Sequence, residues 1–179
     1  MKTYTYVDNS NLFIEGRRVA AVAAGLAPSI YDAMNGGILD HTWNVDYGRL
    51  HEFLCGTNKT EIGAARLWGS LPPSDSFWNM VKRKGFDHQV FDKNFAGKEK
   101  KVDVAIAHRM TKDAYTIIDK NKDEITLVAG DKDFEPVVTD LKSEGFRIDV
   151  VFWDHASKEL RDAATKFISL NQHLHRISR

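Results

Sequence analysis

The chain is poor in cysteine, in net charge and in long apolar runs, and each shortage excludes a class of protein. Its single cysteine, Cys55, has no partner for an internal disulfide, and one thiol is too few for a cysteine-based zinc cluster. No apolar run approaches the roughly 20 residues that cross a bilayer. Lysine plus arginine equal aspartate plus glutamate at 25 each, so no overall positive field attracts nucleic acid. We expect a cytoplasmic protein without a membrane segment, in which nucleic-acid binding depends on a local patch.

Short apolar strand patterns alternate with helical ones through most of the chain. With 179 residues and 42% hydrophobic content, the chain is the size of one domain with a substantial core. Strands that alternate with helices favour a three-layer α/β/α fold, with a mostly parallel sheet of five or six strands and helices on both faces. The predicted strands are Tyr4–Val7, Ile62–Trp68, Asp87–Phe91, Ile125–Val128 and Ile148–Trp153. The predicted helices are Asn11–Gly25, one beginning at Asp46, Ser74–Lys84, Val102–Asp119, Phe134–Ser143 and Ser157–Leu170.

Two segments depart from this alternation. Residues 27–45 contain Pro28 and the pair Gly36–Gly37, which indicate a loop or an inserted excursion. A lid, an oligomer contact such as that of a homodimer, and a plain insertion all fit this segment. The end of the chain, from about residue 172, is mildly basic, and we expect it to be mobile.

Acidic residues follow two of the predicted strands and begin one helix. Asp131 and Asp133 lie in the turn after the strand Ile125–Val128, where side chains two residues apart point to the same side. Asp8 follows the first strand, and parallel connectivity places the carboxyl ends of all strands at one edge of the sheet. Asp103, at the start of a long helix and between apolar neighbours, is a fourth candidate for that edge.

Each of these acids also has a purely structural interpretation. Asp8 and Asn11 fit the cap of the first helix, and Asp131 or Asp133 fits the cap of the next. Asp103 fits an N-terminal acid favoured by the helix dipole. Chance capping does not predict that three separate elements deliver acids to one edge, whereas a divalent cation offsets the repulsion among them. Carboxylate oxygens suit Mg²⁺ or Mn²⁺, which in turn suit the hydrolysis of phosphodiesters.

At four motifs the chain resembles the NYN family, which belongs with the PIN-like nucleases. The motifs are VDNSNLF at 7–13, KKVDVAIA at 100–107, AGDKDFEPVV at 129–138 and ASKELRDAA at 156–164. The third motif is the most specific, and the first has Asn9 where the family usually has glycine. The resemblance implies a PIN-like fold and a metal-dependent ribonuclease, in which Asp8, Asp103, Asp131 and Asp133 are the catalytic and metal-binding acids. Asn11 matches the family's asparagine in the first motif.

The chain departs from the family pattern at two outer positions. The family often has another acid on the long helix near Arg109, and a further acid aligns near Thr165. Fewer outer acids predict weaker metal binding, a changed substrate or a loss of activity.

Lysines beside the acids are the candidates for contact with RNA phosphates. Lys98, Lys100 and Lys101 precede Asp103, and Lys132 separates the paired acids. We assign phosphate contact to Lys101 and Lys132, with Asn11 as a further substrate-binding residue, and a solvated loop to Lys98 and Lys100.

Three other functional classes were weighed against the nuclease. A phosphatase of the haloacid dehalogenase class needs an Asp-x-Asp pair after its first strand, and position 10 is serine. A dinucleotide-binding domain needs a glycine-rich turn at the same place, which is absent. The serious alternative is a catalytically weak or inactive module that binds RNA or another protein and keeps the acids for structure.

Overall fold

Six strands form one sheet in which every neighbouring pair is parallel. A computed structural model describes residues 1–70, 74–91 and 98–179, and for residues 98–100 the backbone alone. The strand order is β3-β2-β1-β4-β5-β6. The strands are β1 Thr3–Asp8, β2 Ile62–Ser70, β3 Asp87–Phe91, β4 Glu124–Val128, β5 Arg147–Phe152 and β6 Lys166–Ser169. The helices are α1 Asn9–Ala23, α2 Ile30–Gly36, α3 Tyr47–Cys55, α4 Asp75–Arg83, α5 Lys98–Thr116, α6 Glu135–Ser143 and α7 Lys158–Ala163.

Alternating side chains along the central strands build two separate cores. On β1, Tyr6 joins a cluster with α5, α6 and α7, whereas Val7 joins a cluster with α1, α3 and α4. On β4, Leu127 belongs to the same cluster as Tyr6, and Val128 belongs to the same cluster as Val7. Successive strand residues point to opposite faces, so each strand needs apolar residues at nearly every position. The three-layer α/β/α fold predicted from the sequence is therefore confirmed.

One predicted element is wrong in its second half. The helix predicted over Ser157–Leu170 ends at Ala163, and residues Lys166–Ser169 form β6 instead. Thr165 makes the change of direction, because its backbone N–H donates to Ile148 O at 2.7 Å and its Oγ1 accepts from Ile148 N at 3.0 Å. Pairing with β5 satisfies backbone groups that a longer helix would leave open, so tertiary contact decides this segment.

The excursion at residues 27–45 contains one short helix and then turns back to the sheet. Ser29 caps α2 by accepting from Asp32 N, and Gly37 ends it with a φ of 62°, in the left-handed region. Trp43 is then buried at 5.8 Å, centroid to centroid, from Trp153. The excursion is thereby anchored at its far end.

The C-terminal segment packs against the end of this excursion. Leu174 and Ile177 are buried, and Ile177 O accepts from Asp46 N at 2.9 Å. Ser178 forms an isolated antiparallel bridge with Val45. The packing differs from the mobile tail expected from the sequence, because two apolar residues in a mildly basic segment find a place in the core.

Within the parts of the chain that the structure describes, no helix combines the length and the apolar character that crossing a membrane requires.

Candidate metal centre

Asp131 starts a tight turn directly after the buried strand β4. Its side chain caps a 3₁₀ helix at Lys132–Phe134, with Oδ1 accepting from Asp133 N at 3.0 Å. Phe134 is fully buried and fixes the far end of the turn in the core. The cap orients the Asp131 carboxylate, and an ionised carboxylate still has acceptor sites for another ligand.

Gly130 allows the turn to lie close to the next strand. A Cβ at this position would overlap the ring of Phe152, so a larger residue requires the turn to move. Gly130 O also accepts from Ser157 N at 2.9 Å, which joins the turn to the start of α7. The ring of Phe152 and the start of α7 therefore set the position of the turn that carries Asp131.

Asp103 reaches the same place from α5. Its neighbours Val102 and Ile106 are buried in the core, and Asp103 itself is half-buried at the margin of the sheet. One carboxylate oxygen from each of Asp103, Asp131 and Asp133 lies within 4.8 Å of the other two. Elements 28 residues apart in sequence thus bring three carboxylates into one small volume.

Asp8 lies outside this group of three oxygens. It is 5% exposed, ends β1 beside β4, and accepts from Asn11 N at 3.2 Å as the N-cap of α1. The capping interpretation of Asp8 and Asn11 is therefore correct as a description of their local contact. The convergence predicted for four acids is observed for Asp103, Asp131 and Asp133.

The two lysines predicted to bind substrate are exposed and lie close in sequence to acids of the group. Lys101 is exposed on α5 two residues before Asp103, and Lys132 is exposed between the paired acids. The side chains of Lys98 and Lys100 lie outside the described residues. The two positions where the family often has acids have structural partners here: Arg109 Nε donates to Asp113 Oδ1 at 2.8 Å, and Thr165 pairs with β5.

A buried network around Asp113 of α5 was not predicted from the sequence. Asp113 is 1% exposed, and its Oδ2 accepts from Tyr6 Oη at 2.8 Å and from Arg66 Nε at 3.0 Å. Burial and the Asp113 carboxylate raise the pKa of Tyr6, so its hydroxyl stays protonated and donates. Asp113 lies on the same buried stripe of α5 as Ile106 and Met110. An acid on a buried apolar stripe needs a partner, and this feature of the sequence could have predicted the network.

The carboxylate group fits a hard divalent cation. Two oxygens on opposite sides of an octahedral Mg²⁺ lie about 4.2 Å apart, given bonds of about 2.1 Å. Only one pair among three such oxygens can be opposite, and oxygens at neighbouring positions lie about 3.0 Å apart. Three oxygens within 4.8 Å of one another reach these positions if each shifts by up to about 1 Å, or if one ligand acts through water. The donor set is all oxygen, which favours Mg²⁺ or Mn²⁺ over softer metals.

Comparison with known proteins identifies the family of this chain and solved structures of similar fold. The family model for the NYN domain matches residues 2–171. A crystal structure of a protein of unknown function from Vibrio parahaemolyticus RIMD 2210633 is similar, with a TM-score of 0.67 and 18% identity, over 99% of this chain and 96% of that one. At this identity the likeness shows the fold alone. A search among curated proteins finds no match.

Proposed function

Because the chain belongs to the NYN domain family, a group of PIN-like nuclease type, we propose that it is a metal-dependent ribonuclease that hydrolyses RNA phosphodiester bonds. The observation that carries this proposal is the group of three carboxylate oxygens within 4.8 Å of one another. Three acids so close repel unless a cation offsets their charge, and a cation held by acids at a sheet edge suits phosphate chemistry.

Asp103, Asp131 and Asp133 would hold Mg²⁺ or Mn²⁺. When bound, the ion supplies Lewis-acid stabilisation of the charge that develops on the phosphodiester and makes water a stronger nucleophile at neutral pH. Asp131 is held in place by its bond from Asp133 N. We assign Asp8, buried beside the group, the role of an outer acid that also fixes the start of α1.

Substrate binding in this proposal uses the cations and the amide beside the acids. Lys101 and Lys132 are exposed, lie close in sequence to acids of the group, and contact phosphates as point charges. Asn11 offers a polar side chain at the start of α1, next to Asp8. A homodimer and a cytoplasmic location stay predictions from the sequence.

The test is RNA cleavage with Mn²⁺, with Mg²⁺ and with EDTA, using internally and end-labelled RNAs. We expect cleavage with either metal, none with EDTA, and at least a roughly 10- to 100-fold loss in the Asp103→Asn variant, as for groups that support a metal. The matched control is Asp140→Asn, which removes one exposed carboxylate from α6.

The alternative, an RNA-binding or protein-interaction module on the same fold, predicts a different result. It is favoured if the purified protein leaves varied RNAs intact with both metals while Asp103→Asn retains fold and RNA affinity. Cleavage in EDTA equal to that in Mn²⁺ would contradict the metal requirement.

A further inference from the structure

A groove lies beside α5, on the side of the sheet that ends at β3. Its volume is about 420 Å³, and its lining includes Arg66, Trp68, His88, Ala105, Arg109 and Lys112. One end of the groove lies at the same edge of the sheet as the acids, because Trp68, which lines the groove, pairs in register with Asp8.

One face of α5 supplies a row of basic residues to this groove. Ala105, His108, Arg109 and Lys112 are spaced by three, one and three residues, which places them on one face of a helix. The opposite stripe, with Ile106 and Met110, is buried in the core. The basic row is therefore fixed in position by the packing of the helix.

The buried Asp113 holds two guanidinium groups along this groove. Arg109 and Arg66 both bond to it, and their side chains are 37% and 17% exposed while that of Asp113 is 2% exposed. Two positive charges therefore share one buried negative charge. Lys112 adds a positive charge to the lining and Asp87 a negative one, so three cations and two anions leave these five residues with a net charge of +1.

We propose that the groove binds the phosphates of single-stranded RNA that extends away from the acids. This inference rests on the proposed function for its substrate class. Phosphate contacts from arginine and lysine position a strand without reading its sequence. The carboxylates alone repel RNA, so a chain with no net charge needs a separate cationic track to hold this substrate.

The spacing along α5 sets the reach of the track. At 1.5 Å per residue, Arg109 lies about 9 Å and Lys112 about 13.5 Å along the helix from Asp103. Arg109 and Lys112 also lie about a third and half of a turn around the helix from Asp103, so these axial distances are lower bounds. A stacked strand advances about 3.4 Å per nucleotide, so the two side chains meet phosphates at least about three and four nucleotides from the acids. A volume in the range of small-ligand sites, about 300–1,000 Å³, suits part of one strand and not a duplex.

Binding is measured by fluorescence anisotropy with a 12-nucleotide uridine RNA in EDTA, so that cleavage plays no part. We expect Lys112→Ala to weaken binding roughly fivefold, Lys112→Glu to weaken it further, and the salt dependence to lose about 0.7 in slope per lost contact. The control is Lys122→Glu, an equal charge change at a lysine whose side chain is 77% exposed and lies before β4, away from the groove.

A substitution that is expected to tighten RNA binding separates an electrostatic effect on affinity from damage to the fold. Asp87→Asn removes the acidic residue of the lining, whose side chain is 77% exposed, and we expect it to tighten binding severalfold. Asp140→Asn, outside the groove, should leave the affinity nearly unchanged. Equal affinities for wild type, Lys112→Glu and Asp87→Asn would overturn the proposal. A Lys112→Glu loss just as large with a 12-base-pair RNA duplex would overturn the assignment to a single strand.

A cleavage measurement distinguishes failure of the groove proposal from failure of the ribonuclease proposal. With Mn²⁺, we expect Lys112→Glu to slow cleavage of the 12-mer but not of a trinucleotide, which is too short to reach Lys112 from the acids. Binding that depends on Lys112 without any cleavage supports the groove and contradicts the ribonuclease. Cleavage that depends on Asp103, with binding independent of Lys112, supports the ribonuclease and contradicts the groove.

Discussion

Replacing Asp133 by asparagine should stabilise the protein in the absence of metal and remove most of the stabilisation by metal. The exposed Asp133 contributes one of three carboxylates whose oxygens lie within 4.8 Å of one another. Asparagine has nearly the same shape but no charge. The backbone N–H at this position still donates to Asp131 Oδ1, so the turn is retained.

The expected gain follows from the spacing of the charges. Two unit charges 4.8 Å apart repel by about 0.9 kcal/mol in a water-like dielectric, and Asp133 takes part in two such pairs. Their removal contributes about 1.7 kcal/mol before screening and about 1 kcal/mol at physiological salt, where the Debye length is about 8 Å. For a chain of this size, 1 kcal/mol raises the melting temperature by about 2–4 °C.

The assay is thermal unfolding followed by circular dichroism, first in EDTA at low and high salt and then with increasing Mn²⁺. Wild type should gain about 2.7 kcal/mol at a Mn²⁺ concentration 100 times its dissociation constant, and Asp133→Asn should gain much less. The variant is then the more stable protein in EDTA, and its advantage shrinks or reverses when Mn²⁺ is added. Asp140→Asn should show neither effect.

One result would refute this reasoning. If Asp133→Asn is no more stable than wild type in EDTA at low salt and gains as much from Mn²⁺, the three carboxylates do not repel and do not share an ion. A gain in EDTA that is independent of salt would also contradict an electrostatic origin.

Three further substitutions test the turn after β4, the network around Asp113 and the packing of α3. Gly130→Ala forces a Cβ against Phe152 and should lower the free energy of unfolding in urea by about 1–3 kcal/mol, with weaker Mn²⁺ binding because the turn moves. Asp113→Ala leaves two arginines without their buried carboxylate and should cost about 3–5 kcal/mol in the same assay. Burial lowers the pKa of His51, so the unfolded chain binds the proton more readily and stability falls as the pH drops through about 6.5. His51→Gln should flatten this dependence between pH 7.5 and 5.5 in urea titrations.

Most of the fold was predictable because the helices on both faces of the sheet have apolar residues at regular spacing in the sequence. The strand Asp87–Phe91 has the predicted bounds, and β4 begins one residue earlier than predicted. The segment Lys166–Ser169 was not predictable in this way. Alanine-rich sequence before it extends a helical pattern, whereas the open edge of β5 supplies hydrogen-bond partners that no local pattern contains.

The site was predictable as far as topology determines it. Asp103, Asp131 and Asp133 meet because α5 begins beside the carboxyl end of β4, which follows from parallel connectivity. The position of Asp8 relative to them depends on its cap of α1, and spacing along the chain does not specify how far a capping side chain turns from its neighbours. The basic groove joins side chains from β2, β3 and α5, so it emerges only when the strand order is known.

The geometry also gives Arg109 a physical interpretation, although it replaces an acid that is frequent in the family. Six helical residues separate it from Asp103, which corresponds to about 9 Å along the axis and about a third of a turn around it. A carboxylate at 109 would therefore point away from the group formed by Asp103, Asp131 and Asp133, so its absence leaves that group complete. The guanidinium instead pairs with Asp113 and lines the groove beside α5. An arginine at position 109 therefore both removes an outer acid and adds a phosphate-binding residue. Arg109→Glu should lower RNA affinity in EDTA and leave Mn²⁺ affinity within about threefold of wild type. Circular dichroism of the variant checks that its fold is intact.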